Sequence, residues 1–569
     1  MTMWLAILWL GCSSDGPPHS EPSPLGDDTP DTDDLQEPET PTLESDLSGA
    51  DSDTQVESDP LADTLDTTPV EESEHSDIPT DTGTPYVYGV RPPTAWPDMW
   101  PIPPRCSFSP GMVVAPPPTF RAIDFQSPEA DGFFAQFAMP SSDNTRTWVV
   151  AGMGAFQQVE FAAAYELPES GVVTHLQAEV FRTEMTGTDM GTYHNGLVDL
   201  DSDGNGDFLA LNIAYDTVTR EFQGRLFGYD VGVESPLPPV WTLDPSEGAT
   251  WIHSVISSHF DNNPGTDLIV GMGQGLTGVR IDGYSGPFGR GAIGVPNRTW
   301  RLDYSANGLG ALLPGTGDLN GDNIPDLVMA WLDPIQPHNG HVRVFFGPLA
   351  GDIQPVATDV RLEGTRSSQY SSFSDFIIQD IDGDGFEDLI VSGHEDTWDG
   401  LSYVGAVYIF KGPFQTGDRW RDIDADTIIR WPTVGARTGL RLTKLGDVDG
   451  DLRPEFAIMA LGSRALPPPG VDVNVDWPVP TIENGPFLAP EGAIMVFGNT
   501  PPGVIGPEHA KFIIMGEEPG DLVGWSGVVG PGDVSGDGLA DIAYANAAYG
   551  NGLYLTVLHP CEDFGTPPP

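Results

Sequence analysis

A nine-residue loop with acidic groups at alternate positions recurs six times along this chain, each copy running straight into a short apolar stretch. The clearest copy is DIDGDGFED, from Asp380 to Asp388, followed by Leu-Ile-Val. Close relatives are DLDSDGNGD (Asp199–Asp207), DLNGDNIPD (Asp318–Asp326), DVDGDLRPE (Asp447–Glu455) and DVSGDGLAD (Asp533–Asp541), and HFDNNPGTD (His259–Asp267) is a worn copy. The first positions fall at 199, 259, 318, 380, 447 and 533, giving spacings of 60, 59, 62, 67 and 86 residues. The last interval holds SRALPPPGVDVNVDWPVPTIENGPF (463–487), a Pro-rich insertion without which the period returns to about 60. Insertions of this kind land in the loops of a repeating scaffold. One period before Asp199, SSDNTRTWVVAGMG (141–154) keeps the apolar run and lacks the carboxylates. The repeat therefore counts seven units.

No segment of the repeat region sustains a helical period. Runs such as DLIVGM (267–272), DLVMAW (326–331) and EDLIVSG (387–393) fit short buried strands. A second phrase, GHVRVFFGP (340–348), GAVYIFKGP (405–413) and EGAIMVFGN (491–499), fits a later strand of the same unit. A period near 60 built from short strands and glycine-rich loops predicts an all-β fold, a seven-bladed β-propeller over 105–562. Seven four-stranded blades closed in a ring leave no long exposed sheet edge.

The remaining sequence sets the surroundings. Lys+Arg number 24 against 84 Asp+Glu, a net charge of −60, which disfavours nucleic acid and anionic lipid surfaces as partners. Residues 13–90 hold 22 acidic residues and no Lys or Arg. Such a stretch buries too little apolar surface to offset the entropy of ordering, so 13–100 is expected to be a disordered, extended tether. The opening MTMWLAILWLGC is too short to span a bilayer and reads as a trimmed export signal or an uncleaved apolar N-terminus. It resembles a bacterial lipoprotein signal peptide (1–12), which implies lipidation of Cys12, with Ser13 favouring the outer membrane. On that reading Cys106 and Cys561 remain, as a disulfide or as free thiols; the expectation is a disulfide that clasps the first unit to the last.

Alternating carboxylates repel one another unless a hard cation sits among them, and oxygen donors around a sharp glycine turn suit Ca²⁺. An acidic hairpin turn without metal is the competing reading, since Asp, Asn and Gly favour turns in any case. With its flanks, as in GDLNGDNIPDLVMA (317–330) and GDVSGDGLADIAYA (532–545), the loop is similar to the FG-GAP repeat of integrin α-chain propellers and many bacterial surface proteins. The resemblance covers roughly residues 106–562. It implies Ca²⁺ bound through side chains at positions 1, 3, 5 and 9 and the backbone carbonyl at position 7. Carried over by position, the ligands are Asp199, Asp201, Asp203, Asn205 and Asp207; Asp318, Asn320, Asp322, Ile324 and Asp326; Asp380, Asp382, Asp384, Phe386 and Asp388; Asp447, Asp449, Asp451, Arg453 and Glu455; and Asp533, Ser535, Asp537, Leu539 and Asp541. That makes about five sites, structural in role. Leu452 in place of Gly and Glu455 in place of Asp set the fourth of these loops apart, and His259 with Pro264 makes the worn copy a poor site.

HExxH, GxSxG and GxxxxGK[ST] are absent from the sequence, so zinc-protease, serine-hydrolase and P-loop chemistry lack their signatures. Among so many acids, spacing does not single out a glycosidase pair. Trp96, Trp100, Trp398, Trp420, Trp431, Trp477 and Trp525 lie in turn-rich stretches, where a ring could stack on a sugar or pack between blades. The 463–487 insertion is the expected specificity loop, because long loops on rigid scaffolds carry function. The expectation is a non-catalytic, monomeric, calcium-stabilised propeller used in recognition or adhesion of a protein or glycan. It would sit at a bacterial outer membrane or cell surface through a lipid anchor, or be periplasmic or secreted. The alternative is an envelope enzyme acting on polysaccharide in the central depression of the ring.

Overall fold

The computed structural model describes segments of the chain between Cys106 and Asp563; residues 1–105, 564–569 and several internal stretches, 462–490 among them, lie outside the described residues. The expected signal peptide with Cys12, the tether, Trp96, Trp100, Asp203, Asn205, Pro264 and the insertion with Trp477 all fall outside them. The described residues form seven sheets, with one helical turn at Pro560–Asp563 and two 3-10 turns. The architecture is all-β and propeller-like.

Each apolar run after an acidic loop becomes the second strand of a sheet. The ninth loop residue is the first residue of that strand, at Asp207, Asp267, Asp326, Asp388, Glu455 and Asp541. In the fifth sheet Asp375–Gln379 pairs antiparallel with Asp388–Gly393, and that strand with Ala406–Phe410, which pairs with Thr427–Ile429. The fourth sheet repeats the order with Leu313–Gly317, Asp326–Leu332, Gly340–Phe345 and Val360–Glu363. The sixth uses Arg441–Gly446, Glu455–Ala460, Ala493–Phe497 and Phe512–Met515.

The strands Asp388–Gly393 and Ala406–Phe410 are buried along their whole length, and their period of two explains how. Leu389, Val391, Tyr408 and Phe410 pack against Val328, Val342 and Val344 of the fourth sheet. Ile390, Val407 and Ile409 face the other way, against Phe456, Ile458 and Met495 of the sixth. A strand covered on both faces needs an unbroken apolar run, and each such side chain contributes roughly 1.5–3 kcal/mol.

The first strands of successive sheets are neighbours: Trp251–Ser258 beside Leu313–Gly317, then Asp375–Gln379, Arg441–Gly446, Val523–Gly532 and finally Phe133–Ala135 of the first sheet. Hydrogen bonds stitch adjacent members, such as Ser258 Oγ to Thr316 Oγ1 at 3.0 Å and Thr443 Oγ1 to the Val528 carbonyl at 2.7 Å. The 141–154 unit contributes Trp148–Met153, the middle strand of the first sheet.

Five sheets carry a fifth strand where four were expected. The connection between third and fourth strands lends a short parallel strand to the preceding sheet: Arg419–Arg421 pairs with Val360–Glu363, and Gly503–Ile505 with Thr427–Ile429. In the seventh sheet this connection spans the two ends of the chain. Its third strand, Gly552–Leu558, pairs with Arg121–Asp124 as fourth strand, and Met112–Val114 is lent to the sixth sheet beside Phe512–Met515. Val114 and Arg121 are separated as Ile505 and Phe512 are in the sixth repeat. A disulfide joins Cys561, just past the third strand, to Cys106, just before the lent strand, with Cα atoms 5.7 Å apart. The bond thus lies inside one repeat and replaces a missing stretch of main chain. The expectation of a clasp from first unit to last is corrected accordingly, because the N-terminal segment supplies the outer strand of the last sheet before the first sheet begins.

Candidate metal centre

The acidic loops join the first and second strands, so they share one end of their sheets. Their backbone explains the spacing of the acids. In the Asp318 loop, Asp318 Oδ1 accepts from the N–H of Gly321 (2.8 Å) and Asp322 (3.0 Å), and Oδ2 from Asn323 (2.7 Å). Asn320 Oδ1 accepts from the Asp322 N–H, and Asp322 Oδ1 from the Ile324 N–H at 2.8 Å. The Asp380 loop repeats the pattern: Gly383 and Gly385 donate to Asp380, Asp384 to Asp382, and Phe386 to Asp384. Asp447, Asp449 and Asp451 do the same, as do Asp533 and Asp537. Each side chain uses an oxygen to turn the backbone two to five residues on, and the loop coils around its own carboxylates.

Positions 4 and 6 lie in the left-handed region: Gly383 at φ +77° and Gly385 at +91°, Gly450 at +84° and Leu452 at +64°. Leu452 therefore adopts the shape of the glycine it replaces, at a cost of about 1–2 kcal/mol.

The ninth residue is buried in every copy. One of its oxygens accepts the N–H of position 2: Asp207 from Leu200, Asp326 from Leu319, Asp388 from Ile381 and Glu455 from Val448. The other reaches the turn after the third strand, where the Gly286, Gly347 and Gly412 N–H groups donate to Asp267, Asp326 and Asp388. In the seventh sheet Pro560 stands at the register position of Gly412 and has no N–H, and the His559 ring bonds Asp541 Oδ1 at 2.7 Å. Burial pushes the Asp326 and Asp388 carboxyls up to about 7, against the lowering pull of these backbone donors.

Three groups bring a ligand atom from each member within 4.8 Å of the others: Asp199, Asp201 and Asp207; Asp380, Asp382 and Asp388; Asp447, Asp449 and Glu455. At that separation two carboxylates repel by about 3–4 kcal/mol at an effective dielectric near 20. The oxygen-only donor set and the loop that coils around it suit a hard divalent ion. Asp318, Asn320, Asp322 and Asp326 supply the same positions with one charge fewer. In the worn copy, His259 Nδ1 lies 3.0 Å from the Gly265 carbonyl, so position 1 is engaged with its own loop, while Asp267 keeps its hydrogen bond to Gly286.

Cations of the chain also reach these loops, which the sequence reading missed. Lys411 Nζ stands 2.8 Å from Asp382 Oδ2, and Lys511 Nζ 2.5 Å from both Asp449 Oδ2 and Glu455 Oε1. Neighbouring loops touch as well. Glu387 Oε2 accepts the Asp318 N–H at 2.6 Å, and a Cβ on Gly321 would lie 2.5 Å from the Phe386 ring. Of the tryptophans singled out, Trp431 and Trp398 are buried and Trp420 stacks on Phe410 with ring centroids 5.7 Å apart. These three pack within and between sheets and are not free stacking platforms.

No protein-family profile matches the chain. Integrin alpha-PS2 of Drosophila melanogaster is 29% identical over 157 residues, 26% of this chain and 10% of that protein. Integrin alpha-PS5 of the same organism is 33% identical over 100 residues, 17% of this chain and 9% of that protein. The chain spans about a tenth of the length of these curated relatives. Among solved structures, a triple arginine mutant of AofleA from Arthrobotrys oligospora overlaps with a TM-score of 0.32 at 8% identity, covering 72% of this chain and 94% of that one. The S. cerevisiae core factor overlaps at 0.37 and 9% identity, covering 75% and 57%. Fructofuranosidase from Schwanniomyces occidentalis complexed with fructose overlaps at 0.27 and 9% identity, covering 58% and 66%. Overlaps this loose inform neither fold nor function.

Proposed function

We propose that this chain is a calcium-stabilised, seven-bladed β-propeller of the FG-GAP kind that acts in recognition or adhesion and carries out no catalysis. The observation that carries the reading is the local match to integrin alpha chains in a chain where six of the seven sheets place a copy of the acidic loop between first and second strands. The seven sheets and the run of adjacent first strands, ending with the seventh sheet against the first, support ring closure.

Ca²⁺ would be held by the side chains at positions 1, 3, 5 and 9 with the carbonyl at position 7. It supplies positive charge where carboxylates otherwise repel, and so fixes the turn between two strands. An ion bound only by the folded chain stabilises it by about 2.7 kcal/mol at a hundredfold excess over Kd.

The connections between second and third strands leave the opposite end of each sheet, away from the acidic loops. The insertion 463–487 belongs to such a connection, between Glu455–Ala460 and Ala493–Phe497. We assign ligand specificity to it. Cys12 would carry the lipid and residues 13–100 the reach, placing the head at a bacterial outer membrane or cell surface.

The test is binding of the purified chain to a glycan array and to immobilised extracellular proteins, with calcium and with EDTA. Saturable binding without product release, lost on excising 463–487 while the thermal melt is kept, supports the reading. Release of products from a polysaccharide panel would overturn it in favour of an envelope hydrolase.

A further inference from the structure

The sixth repeat departs from its neighbours at three register-equivalent positions. The residue before each fourth strand donates its N–H across to the third: Asp359 to the Val344 carbonyl, Asp426 to Ile409 and Lys511 to Val496, at 3.0, 2.9 and 2.7 Å. In the fourth and fifth sheets this residue is an aspartate that accepts a backbone N–H, from Phe346 to Asp359 and from Lys411 to Asp426, both at 2.9 Å. In the sixth it is a lysine, although the chain has only 24 Lys and Arg against 84 acids. The local backbone is otherwise the same. Asp422–Asp424 and Pro507–His509 are both 3-10 turns, followed by Ala425 at φ −63°, ψ 139° and Ala510 at φ −62°, ψ 143°.

The second position is Gly498, in register with Phe346 and Lys411. A Cβ there would lie 2.9 Å from Lys511 Cε and from Glu455 Oε1, so any larger residue would make these two side chains shift. The third is Glu455, where the sister loops have Asp326 and Asp388. Its Oε2 keeps the bond to the position 2 N–H at 2.8 Å, and its Oε1 meets Lys511 Nζ. In Asp326 and Asp388 the corresponding oxygen takes the Gly347 or Gly412 N–H. Lys511 Nζ thus lies 2.5 Å from position 3, 2.5 Å from position 9 and 3.8 Å from position 5. Lys411 differs, bonding Asp382 alone at position 3.

We propose that Lys511 is the resident cation of the Asp447–Glu455 loop, a tethered ammonium standing where the sister loops take a divalent ion, so that this loop holds its shape without metal. Calcium bound to oxygens at 2.3–2.6 Å would need the Asp449 and Glu455 oxygens that the ammonium already holds. The covalent tether removes the dependence on free ion concentration that a dissociable ion carries.

This inference rests on the cation reading of the sister loops, and one measurement separates the two. Calcium equivalents per chain are counted by elemental analysis after equilibrium dialysis of the full chain and three variants. Asp384→Asn and Asp451→Asn each keep the oxygen that accepts a backbone N–H and lose the charge at position 5. Lys511→Met keeps the length of the side chain and loses the ammonium. The expected result is one equivalent fewer for Asp384→Asn, an unchanged count for Asp451→Asn and one equivalent more for Lys511→Met. Loss of an equivalent in Asp451→Asn, or an unchanged count in Lys511→Met, overturns the role given to Lys511 and leaves the sister loops as they are. A wild-type chain that binds no calcium overturns the cation reading itself.

Discussion

Position 9 of the acidic loop serves the hairpin before it serves a metal. Asp267 shows this: its loop has His259 at position 1, yet its carboxylate is fully buried and still takes the Gly286 N–H at 2.9 Å. Removing a buried acceptor leaves its donor unpaired, at about 1–3 kcal/mol. Asp267→Ala should lower the unfolding free energy from urea titration by that amount, equally in calcium and in EDTA. Asp384→Asn, which keeps the oxygen for the Phe386 N–H, should instead lower the midpoint in calcium and raise it slightly in EDTA, where desolvation and the Asp382 and Asp380 charges disfavour the ionised carboxylate. An Asp267→Ala loss seen only in calcium would mean that the worn loop binds metal after all.

The same burial sets a pH dependence. Asp326 and Asp388 are raised to about 7 by desolvation. A carboxyl whose pKa is higher folded than unfolded contributes stability that is complete below about pH 4 and lost as the pH climbs through 7. Without divalent ions the chain should therefore resist urea better at pH 5.5 than at pH 8. Saturating calcium should remove that drop, because the ion then neutralises the same groups. A metal-free chain that gains stability between those pH values would contradict the assignment.

At the scale of elements, much of this architecture is legible in the sequence because one repeat fixes several things at once. The apolar runs after the loops mark strands buried on both faces, and DLIVGM, DLVMAW and DLIVSG all lie in second strands. The fifth strands were not legible, since Arg419–Arg421 and Gly503–Ile505 are only three residues long and gain their hydrogen bonds from a neighbouring repeat. Lys511 had a weak signal: Ala425-Asp426 and Ala510-Lys511 each precede a short strand containing Ile-Ile, and the charge reverses between them. The contact between loops left no trace in spacing. Glu387, at position 8, looks like one more acid of its own loop, yet its carboxylate holds the Asp318 N–H of the preceding loop. Glu387→Ala should therefore weaken calcium at the Asp318–Asp326 loop, whose own ligands are untouched, by about three- to tenfold, the equivalent of one hydrogen bond. Calorimetric titration of Glu387→Ala in an Asp384→Asn background isolates the effect, and an unchanged affinity there would mean that the loops act independently.

For the molecule as a whole, the last sheet is completed from both ends of the chain. The third strand of the seventh sheet ends at Leu558, its fourth begins at Arg121, and the repeat's missing connection runs through Cys561 and Cys106. The Cys106 N–H also reaches the Asp449 carbonyl at 3.3 Å, and Phe108 packs on Phe512 with ring centroids 4.7 Å apart, so the segment is held by contacts besides the sulfur bond. Severing the bond frees a loop of 455 residues, and loss of such a native disulfide costs about 2–5 kcal/mol. Cys106→Ser with Cys561→Ser should lower the melting temperature without abolishing the fold. If the disulfide stands in for main chain, a peptide can replace it. A circular permutant that joins residue 561 to residue 106 by peptide, with both cysteines changed to Ser and new termini opened within 462–490, should recover most of the lost stability and become insensitive to reductant. A permutant no more stable than the double Ser variant would show that the sulfur bond ties the ends in some way other than closing the seventh repeat.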